Sequence, residues 1–421
     1  MDLLISTKNG LQMSTIPARI EFKIEKLVNT MLDKIPTYIW ESSTTTFLDP
    51  CMAGGQFCYE IERRLRSYGH SEENIAGRVF GWEANEQIIQ FAVNSKRLIG
   101  KYNVVNVLNL EYNYKIMKFD VIIGNPPYNE NNAGSGAAGS GRAIYHKFIN
   151  LANGLLIDDG YLCYIHPTTW RNGKKSNKEF QRAQQFLFDN QILSINASYK
   201  FPGVTVFTDY YLLKKNKNRI ITEFCNNDGT QYQIEIPKDI CVIRSYNNKI
   251  TDSIVKKVFT GSNDLMMRKA MGGLIVLDKT ISGSFPFADG AKAAKQEWKY
   301  QKHPHIHQRN LKVILIDNHK FRAFIDNGQL GIGDHVHYLL ANNIEEATFF
   351  CNFANSKLAK FSQKIFTDTW NDATQDVYAW NNPYPLSCIL MSKNIITDDF
   401  GFYQHFNLTQ EEIDYVESTV K

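Results

Sequence analysis

The sequence predicts an α/β fold: a doubly wound mixed sheet with crossover helices in the first half, then a mixed α+β domain. Three observations carry this reading. From about Phe47 to Leu213 short apolar runs alternate with longer amphipathic ones, the rhythm of strands joined through crossover helices. A glycine turn, Ala53-Gly54-Gly55, follows the first of those runs. Past the polar run Lys214–Arg219 the pattern turns irregular and richer in turns, Asn and aromatics.

Taken in order, Ala18–Leu32 reads as a helix, with Pro36 closing the segment because proline cannot continue the backbone ladder. The expected strands are Thr46–Leu48, Val79–Gly81, Val104–Leu108, Val121–Ile123, Leu162–Ile165 and Tyr210–Leu213. Phe57–Tyr68 and Ala84–Leu98 are the helices between the early ones. The Gly/Ser/Ala stretch 133–141 reads as a flexible loop able to close over a ligand. The run Lys214–Arg219 reads as a linker, giving domains 1–215 and 216–421, and 421 residues suit two such domains.

Composition excludes several classes. The apolar and charged fractions are globular, and the net charge of +4 permits an anionic partner without demanding one. Seven cysteines lacking any Cys-x-x-Cys pair read as reduced thiols, and with no leader-like start or membrane-length apolar run the expected location is the cytoplasm. His303, His305 and His307 would share one face of a strand, but no neighbouring acid or cysteine completes a ligand set, so no metal is expected.

Three motifs carry chemistry. In Asp49-Pro50-Cys51-Met52-Ala53-Gly54-Gly55-Gln56-Phe57 a strand enters a glycine turn and then a helix, whose first N–H groups are free to meet a ligand. Glu83 ends the next strand, where a carboxylate can accept from both hydroxyls of a ribose. The sharpest is Asp120-Val121-Ile122-Ile123-Gly124-Asn125-Pro126-Pro127-Tyr128. Prolines stiffen the backbone and donate nothing, so the Asn125 side-chain oxygen and the Pro126 carbonyl become fixed acceptors. Such a site suits a planar group bearing an NH₂, with Tyr128 over its ring.

Together these residues resemble the gamma-type, TaqI-like N6-adenine DNA methyltransferases and the methylase parts of combined restriction-modification enzymes. The likeness is specific over roughly residues 10–215 and looser beyond. It implies a Rossmann-like methyltransferase domain followed by a target-recognition domain, and S-adenosyl-L-methionine as cofactor. Asp49, Pro50, Gly54, Gly55 and Phe57 would cradle the methionine part. Thr15 and Pro17 would touch its carboxylate, Glu83 would hold the ribose, and Asn109, with Asn106 behind it, would meet the adenine. The family often has glycine where Ala53 stands. Asn125, Pro126, Pro127 and Tyr128 would be catalytic, with Asn125 also bordering the cofactor and Tyr128 and Phe201 stacking on a flipped base. The stretches Tyr145–Ile149, Gly160–Pro167 and Tyr210–Lys214 resemble the following helix and strands. Tyr338–Leu340, Ile344–Ala347, Phe353–Leu358 and Leu408–Tyr415 resemble target-recognition domains.

The resemblance implies double-stranded DNA as partner, with a separate cognate endonuclease beside it, since no nuclease signature is present here. A monomer is the default. Phosphate contacts are expected from the basic run Lys292, Lys295, Lys299, Lys302, Arg309, Lys312, Lys320 and Arg322, which meets only Glu297 and Asp317, and from Arg171, Lys174, Lys175 and Lys178. Three readings stand as alternatives. A protein-glutamine methyltransferase shares Asn-Pro-Pro-Tyr but lacks a large C-terminal domain. An RNA adenine or guanine methyltransferase uses the same chemistry. An inactive DNA-binding homologue would account for Ala53 and Asn109.

Overall fold

The computed structural model describes residues 2–7, 10–15, 18–109, 117–130, 143–171, 177–200, 207–218, 220–236, 243–259, 268–269, 284–293, 295–316, 323–333, 336–366 and 395–420. The chain divides into two compact units, Met1–Cys241 and Val242–Lys421.

The first unit opens with an antiparallel hairpin, β1 (Asp2–Thr7) and β2 (Gly10–Thr15), and helices α1 (Ala18–Leu32) and α2 (Thr37–Glu41). The α/β body follows: β3 (Phe47–Asp49), α3 (Gln56–Ser67), α4 (Glu72–Arg78), β4 (Val79–Glu83), α5 (Glu86–Lys96), β5 (Lys101–Val104) and β6 (Phe119–Gly124). Next come α6 (Tyr145–Leu155), β7 (Leu156–Pro167), α7 (Lys178–Asp189), β8 (Gln191–Lys200) and β9 (Phe207–Lys214), then β10 (Thr222–Cys225) and β11 (Gln231–Ile234). Helices begin where the sequence supplies oxygens for their orphan N–H groups: Asn85 accepts from Gln87 and Ile88, and Asn177 from Glu179 and Phe180.

Nine strands form one sheet, in the order β11-β10-β8-β9-β7-β6-β3-β4-β5. The pairs β3–β4, β4–β5, β3–β6 and β6–β7 are parallel, whereas β9 runs antiparallel to both β7 and β8. Chain direction reverses its march across the sheet between β3 and β6, and a doubly wound sheet opens its ligand crevice at the carboxyl ends of such a pair. β3 is buried throughout and β6 nearly so, as strands covered on both faces must be. On one face α1, α2 and α3 lay Met31, Leu32, Trp40, Ile61 and Leu65 against Phe47, Val121 and Ile123. Alternate residues face α6 and α7. There His166 stacks on Tyr145 at 4.6 Å, and burial holds its imidazole neutral, its pKa down to about 3.

The expected strand Val104–Leu108 is displaced: β5 ends at Val104 and Val107–Asn109 is a 3₁₀ turn. The Asn106 side chain accepts from the Leu108 N–H at 3.1 Å, a local bond that competes with the strand ladder. The boundary expected at residue 215 also moves. Lys214 and Lys215 belong to the first unit and not to a linker: Lys214 pairs with Asp159 at 3.1 Å, and Lys215 donates to the carbonyls of Asn153 and Leu156. The chain then returns to the sheet, β10 pairing parallel with β8 and turning back into β11.

Arg171 is corrected as an expected DNA contact. It is fully buried, its Nε donating to Asp209 Oδ2 at 2.6 Å and its Nη2 to Oδ1 at 3.1 Å. Trp170 Nε1 and the Ser198 N–H donate to the same carboxylate at 2.7 and 3.0 Å. Four donors on one buried carboxylate lock the turn after β7 onto β9, and the guanidinium has no exposed edge to offer a phosphate.

Among its described residues the second unit has two sheets. β12 (Arg268–Lys269), β18 (Val336–Leu340), β15 (Leu311–Ile316) and β16 (Ala323–Asn327) lie side by side in that order. β13 (Phe285–Ala288) lies between β14 (Lys299–Gln301) and β17 (Gly331–Ile332). Helices α8 (Lys249–Val258), α9 (Gly290–Ala293), α10 (Ile344–Asn355), α11 (Lys357–Phe366), Asp399–His405 and Gln410–Thr419 complete it. Phe349, Phe353, Phe361 and Phe402 fill the core with Val313 and Leu339. His303, His305 and His307 lie in the turn between β14 and β15, not in a strand.

Removing one partner of a buried ion pair strands the other charge, at a cost of about 3–5 kcal/mol. Asp209→Ala is expected to lose that much in urea unfolding; a loss below about 1 kcal/mol would show that Arg171 finds water instead.

Candidate active site at the β3–β6 switch

The site grows from the ends of two neighbouring strands. β3 delivers Asp49, and the chain turns through Ala53 (φ 43°) and Gly55 (φ 74°) into α3. At Gly55 the left-handed backbone and the packing both demand glycine: a Cβ would stand 2.9 Å from Leu98 Cδ1. Ala53 takes the same region with its methyl exposed, at a cost of about 1 kcal/mol. Among the described residues no side chain caps α3, and the first turn of a helix has no intrahelical acceptor for its N–H groups.

Glu83, at the end of β4, leans over this turn. Its Oε2 accepts from the Ala53 N–H at 3.3 Å, and its Oε1 from Ala84 and Asn85 at 2.9 and 3.3 Å. The Met52 N–H donates to the Trp82 carbonyl at 2.9 Å, tying the turn to β4. Asp49 is buried; its Oδ1 accepts from the Cys51 N–H at 3.1 Å. Desolvation, with Glu83 adding repulsion, pushes its carboxyl up to about 7. The Cys51 and Cys58 thiols are pushed well up by burial and by Asp49, so neither is a thiolate nucleophile.

β6 ends in Gly124 and runs into Asn125-Pro126-Pro127-Tyr128. Gly124 is required by proximity: a Cβ would meet Asp49 Oδ1 at 2.8 Å. That distance joins the Asp49 turn and the Asn-Pro-Pro-Tyr turn into one site. The Tyr128 carbonyl accepts from Ile144 at 2.9 Å, and Asn129 bridges Ala143, anchoring the far end of the turn. Among the described residues, Asn125 Oδ1 and the Tyr128 hydroxyl are buried without a hydrogen-bond partner. So is the hydroxyl of Tyr164, paired in register with Gly124 on β7. Burial raises both phenols, with Cys51 contributing to each. Orphaned buried polar atoms are rare in folded proteins and call for a partner.

The donor set fits a nucleoside-bearing cation. Two carboxylates, an uncapped helix start and an orphan amide oxygen offer acceptors to an ammonium or sulfonium and to ribose hydroxyls, and donors to a carboxylate. Asp49, Pro50, Gly54, Gly55, Glu83, Asn125 and Pro126 are brought together. Phe57 lies within the core on the α3 side. Thr15 pairs with Asp2 in the hairpin, and Asn109 ends the 3₁₀ turn; the side chains of both lie outside the described residues. Pro17, Phe201, Lys174, Lys175, Lys320, Arg322 and the loop 133–141 lie outside them too. Lys178 is exposed at the start of α7. In the second unit Lys292, Lys295, Lys302 and Arg309 are exposed and Lys299 is paired with Asp289, whereas Lys312 is corrected as an expected DNA contact, because it is buried and paired with Asp326. Among the described residues no group of three or more His, Cys, Asp or Glu is placed to hold a metal, and no helix is long and apolar enough to cross a membrane.

Tyr164 and Gly124 were not singled out from the sequence. The available signal was their spacing: each stands near the carboxyl end of an apolar run, where neighbouring parallel strands bring side chains together.

The fold and the turns at the ends of β3 and β6 form a Rossmann-like α/β body. Within that class, residues 43–207 match the model of the Eco57I restriction-modification methylase family. Over 108 residues the chain is 36% identical to a Mycoplasma pneumoniae protein described as an uncharacterized adenine-specific methylase, an alignment covering 21% of this chain and 25% of that protein. The chain thus spans about a quarter of that relative. Among solved structures it is similar to the Type IIL restriction-modification enzyme MmeI in complex with DNA, at 10% identity and TM-score 0.45, covering 96% of this chain and 72% of that one. It is also similar to the type IIG restriction endonuclease BpuSI (9% identity, TM-score 0.41, 96% and 61% covered). A third is the type I methyltransferase subunit of Streptococcus thermophilus (16% identity, TM-score 0.35, 53% and 47% covered).

The raised Asp49 carboxyl gives a pH signature. The folded state favours the neutral acid, so this stability is fully present below the ordinary 3.8 and lost as pH rises through about 7. Asp49→Asn fixes the neutral form. Between about pH 5 and pH 8 the wild-type melting temperature is expected to fall relative to the variant's; parallel profiles would mean that Asp49 is already ionised.

Proposed function

We propose that the chain transfers a methyl group from S-adenosyl-L-methionine to the N6 amino group of adenine in double-stranded DNA. The observation that carries this is the rigid Asn125–Tyr128 turn at the end of β6, with Asn125 Oδ1 buried and given no partner by any described residue and Gly124 against Asp49 across the switch point. The match of residues 43–207 to a restriction-modification methylase family, and the adenine-specific relative, support the same substrate class.

S-adenosylmethionine supplies an electrophilic methyl group on a sulfonium. Asp49 and Glu83, with the start of α3, bind it, and Asn125 borders it. Adenine N6 is a poor nucleophile because its lone pair is delocalised into the ring, and it lies within the duplex, so the base must leave the stack. Asn125 Oδ1 and the Pro126 carbonyl accept its two amino hydrogens, and Tyr128 covers its face. Holding both hydrogens in fixed acceptors draws the nitrogen toward tetrahedral geometry and frees the lone pair, which makes this catalysis by positioning and local electrostatics. An amide is no base, so the proton passes to water after transfer. The second unit reads the DNA sequence, with Lys292, Lys295 and Arg309 on phosphates. The enzyme works in the cytoplasm as a monomer, alongside a separate cognate endonuclease.

The test is methyl transfer from labelled S-adenosylmethionine to unmethylated genomic DNA, with RNA and a protein extract in parallel, followed by nucleoside analysis. N6-methyladenine in DNA is the expected product; label confined to RNA or protein would overturn the reading. Asn125→Ala is expected to lower kcat by about 10²–10³, the cost of losing one preorganised polar contact, with the cofactor Kd changed far less. Equal losses in both would remove Asn125 from the catalytic role.

A further inference from the structure

The turn between β14 and β15 spends an unusual number of buried polar groups on holding one residue in water. Ile306 is 82% exposed. Beneath it, the buried Lys312 ammonium donates to the carbonyls of His307, Gln308 and Asn310 at 3.0, 3.2 and 3.0 Å, and pairs with Asp326 at 2.5 Å. The buried Gln308 side chain donates to the carbonyls of Pro286 and Gln329 at 3.0 and 2.6 Å and accepts from the His305 N–H at 3.2 Å. His305 and His307 flank the isoleucine, both rings against Tyr338 at 5.7 and 5.8 Å. Burial, with His307 and Lys312 nearby, lowers His305 to about 4, so its ring is neutral. The opposing turn closes on the same segment: at Gly328 (φ 86°) a Cβ would stand 2.6 Å from the Arg309 carbonyl.

A lone exposed isoleucine is ordinary; one at the tip of a turn fixed by a buried lysine and a buried glutamine is a rigid apolar projection. Its surroundings are cationic. Across 292–310 the sequence has Lys292, Lys295, Lys299, Lys302 and Arg309 against Glu297, and Lys302, His303 and Arg309 are exposed beside the tip. Apolar side chains flanked by cations are the device by which proteins enter base steps of a duplex, the cations holding phosphates while the wedge partly unstacks two base pairs.

We propose that Ile306 is an apolar wedge which enters a base step of duplex DNA, positioned by the Lys312–Gln308 scaffold and flanked by phosphate contacts from Arg309. This rests on the DNA reading above and adds to it a residue that deforms the duplex.

The experiment compares wild type, Ile306→Ala and Arg309→Ala on a duplex whose site is identified by sequencing DNA methylated by the wild type. 2-Aminopurine is placed at successive positions around the methylated adenine. Wild type is expected to raise the fluorescence around the flipped adenine and at one further step, and Ile306→Ala to abolish the rise at that further step alone and weaken binding about tenfold. Its cofactor Kd, melting temperature and salt dependence should stay unchanged. Arg309→Ala should instead reduce the slope of log K against log salt by about one. Wild-type unstacking at that further step that persists unchanged in Ile306→Ala overturns the wedge while leaving the DNA reading intact. Failure of the wild type to bind or methylate any duplex overturns both.

Discussion

The structure depends on the parallel pairing of β3 with β6. Phe47 lies opposite Val121 and Leu48 opposite Ile122, and that register alone sets Asp49 beside Gly124 at the carboxyl ends. A slip of one residue would turn each strand's side chains to the opposite face. The buried aliphatic faces of both strands and the helices packed on them make such a slip prohibitive. The site therefore has its geometry from the core, and the turns that carry its polar atoms only have to leave the sheet at fixed points.

Those turns are stiff in different ways. Asn125-Pro126-Pro127-Tyr128 is stiff covalently, because proline fixes φ, and its far end is held by Tyr128 and Asn129 pairing with Ile144 and Ala143. The Asp49–Gly55 turn is stiff by hydrogen bonding, through Glu83 and the Trp82 carbonyl. On the remote side of the sheet the Arg171–Asp209 pair fixes β9 to the turn after β7. Asp49 and Glu83 stand at one of these turns and Asp209 at the remote one, and the burial of Asp49 and Asp209 makes their partners obligatory.

Much of the first unit was legible because its signals are local. Apolar runs bounded by turn residues located β3, β4, β6, β7 and β9, and α1 was read to its limits. The active-site turns were legible because proline and glycine restrict the backbone wherever they occur. What stayed hidden depended on partners distant in sequence. β8 alternates Ser194 and Asn196 with apolar residues and is a strand only because β9 and β10 flank it. Lys214–Arg219 reads as a linker until Asp159 and the carbonyl of Leu156 are placed against it. Arg171 carries the same letter as a surface arginine, and only Asp209, 38 residues away, makes it a core residue. The histidines at 303, 305 and 307 alternate as in a strand, yet the hydrogen bonds of Gln308 and Lys312 fold them into a turn.

Burial raises the Asp49 carboxyl to about 7, which ties ligand arrival to solvent protons. A cation settling beside it near neutral pH would draw the carboxyl into its ionised form and expel a proton into the medium. The heat of that encounter would then carry the ionisation enthalpy of whichever buffer takes up the proton, and titrations in phosphate and in Tris would differ although the contacts formed are the same. The site would thus report its own occupancy as a small acidification, a signal that comes from a side chain's desolvation and not from any movement of the backbone.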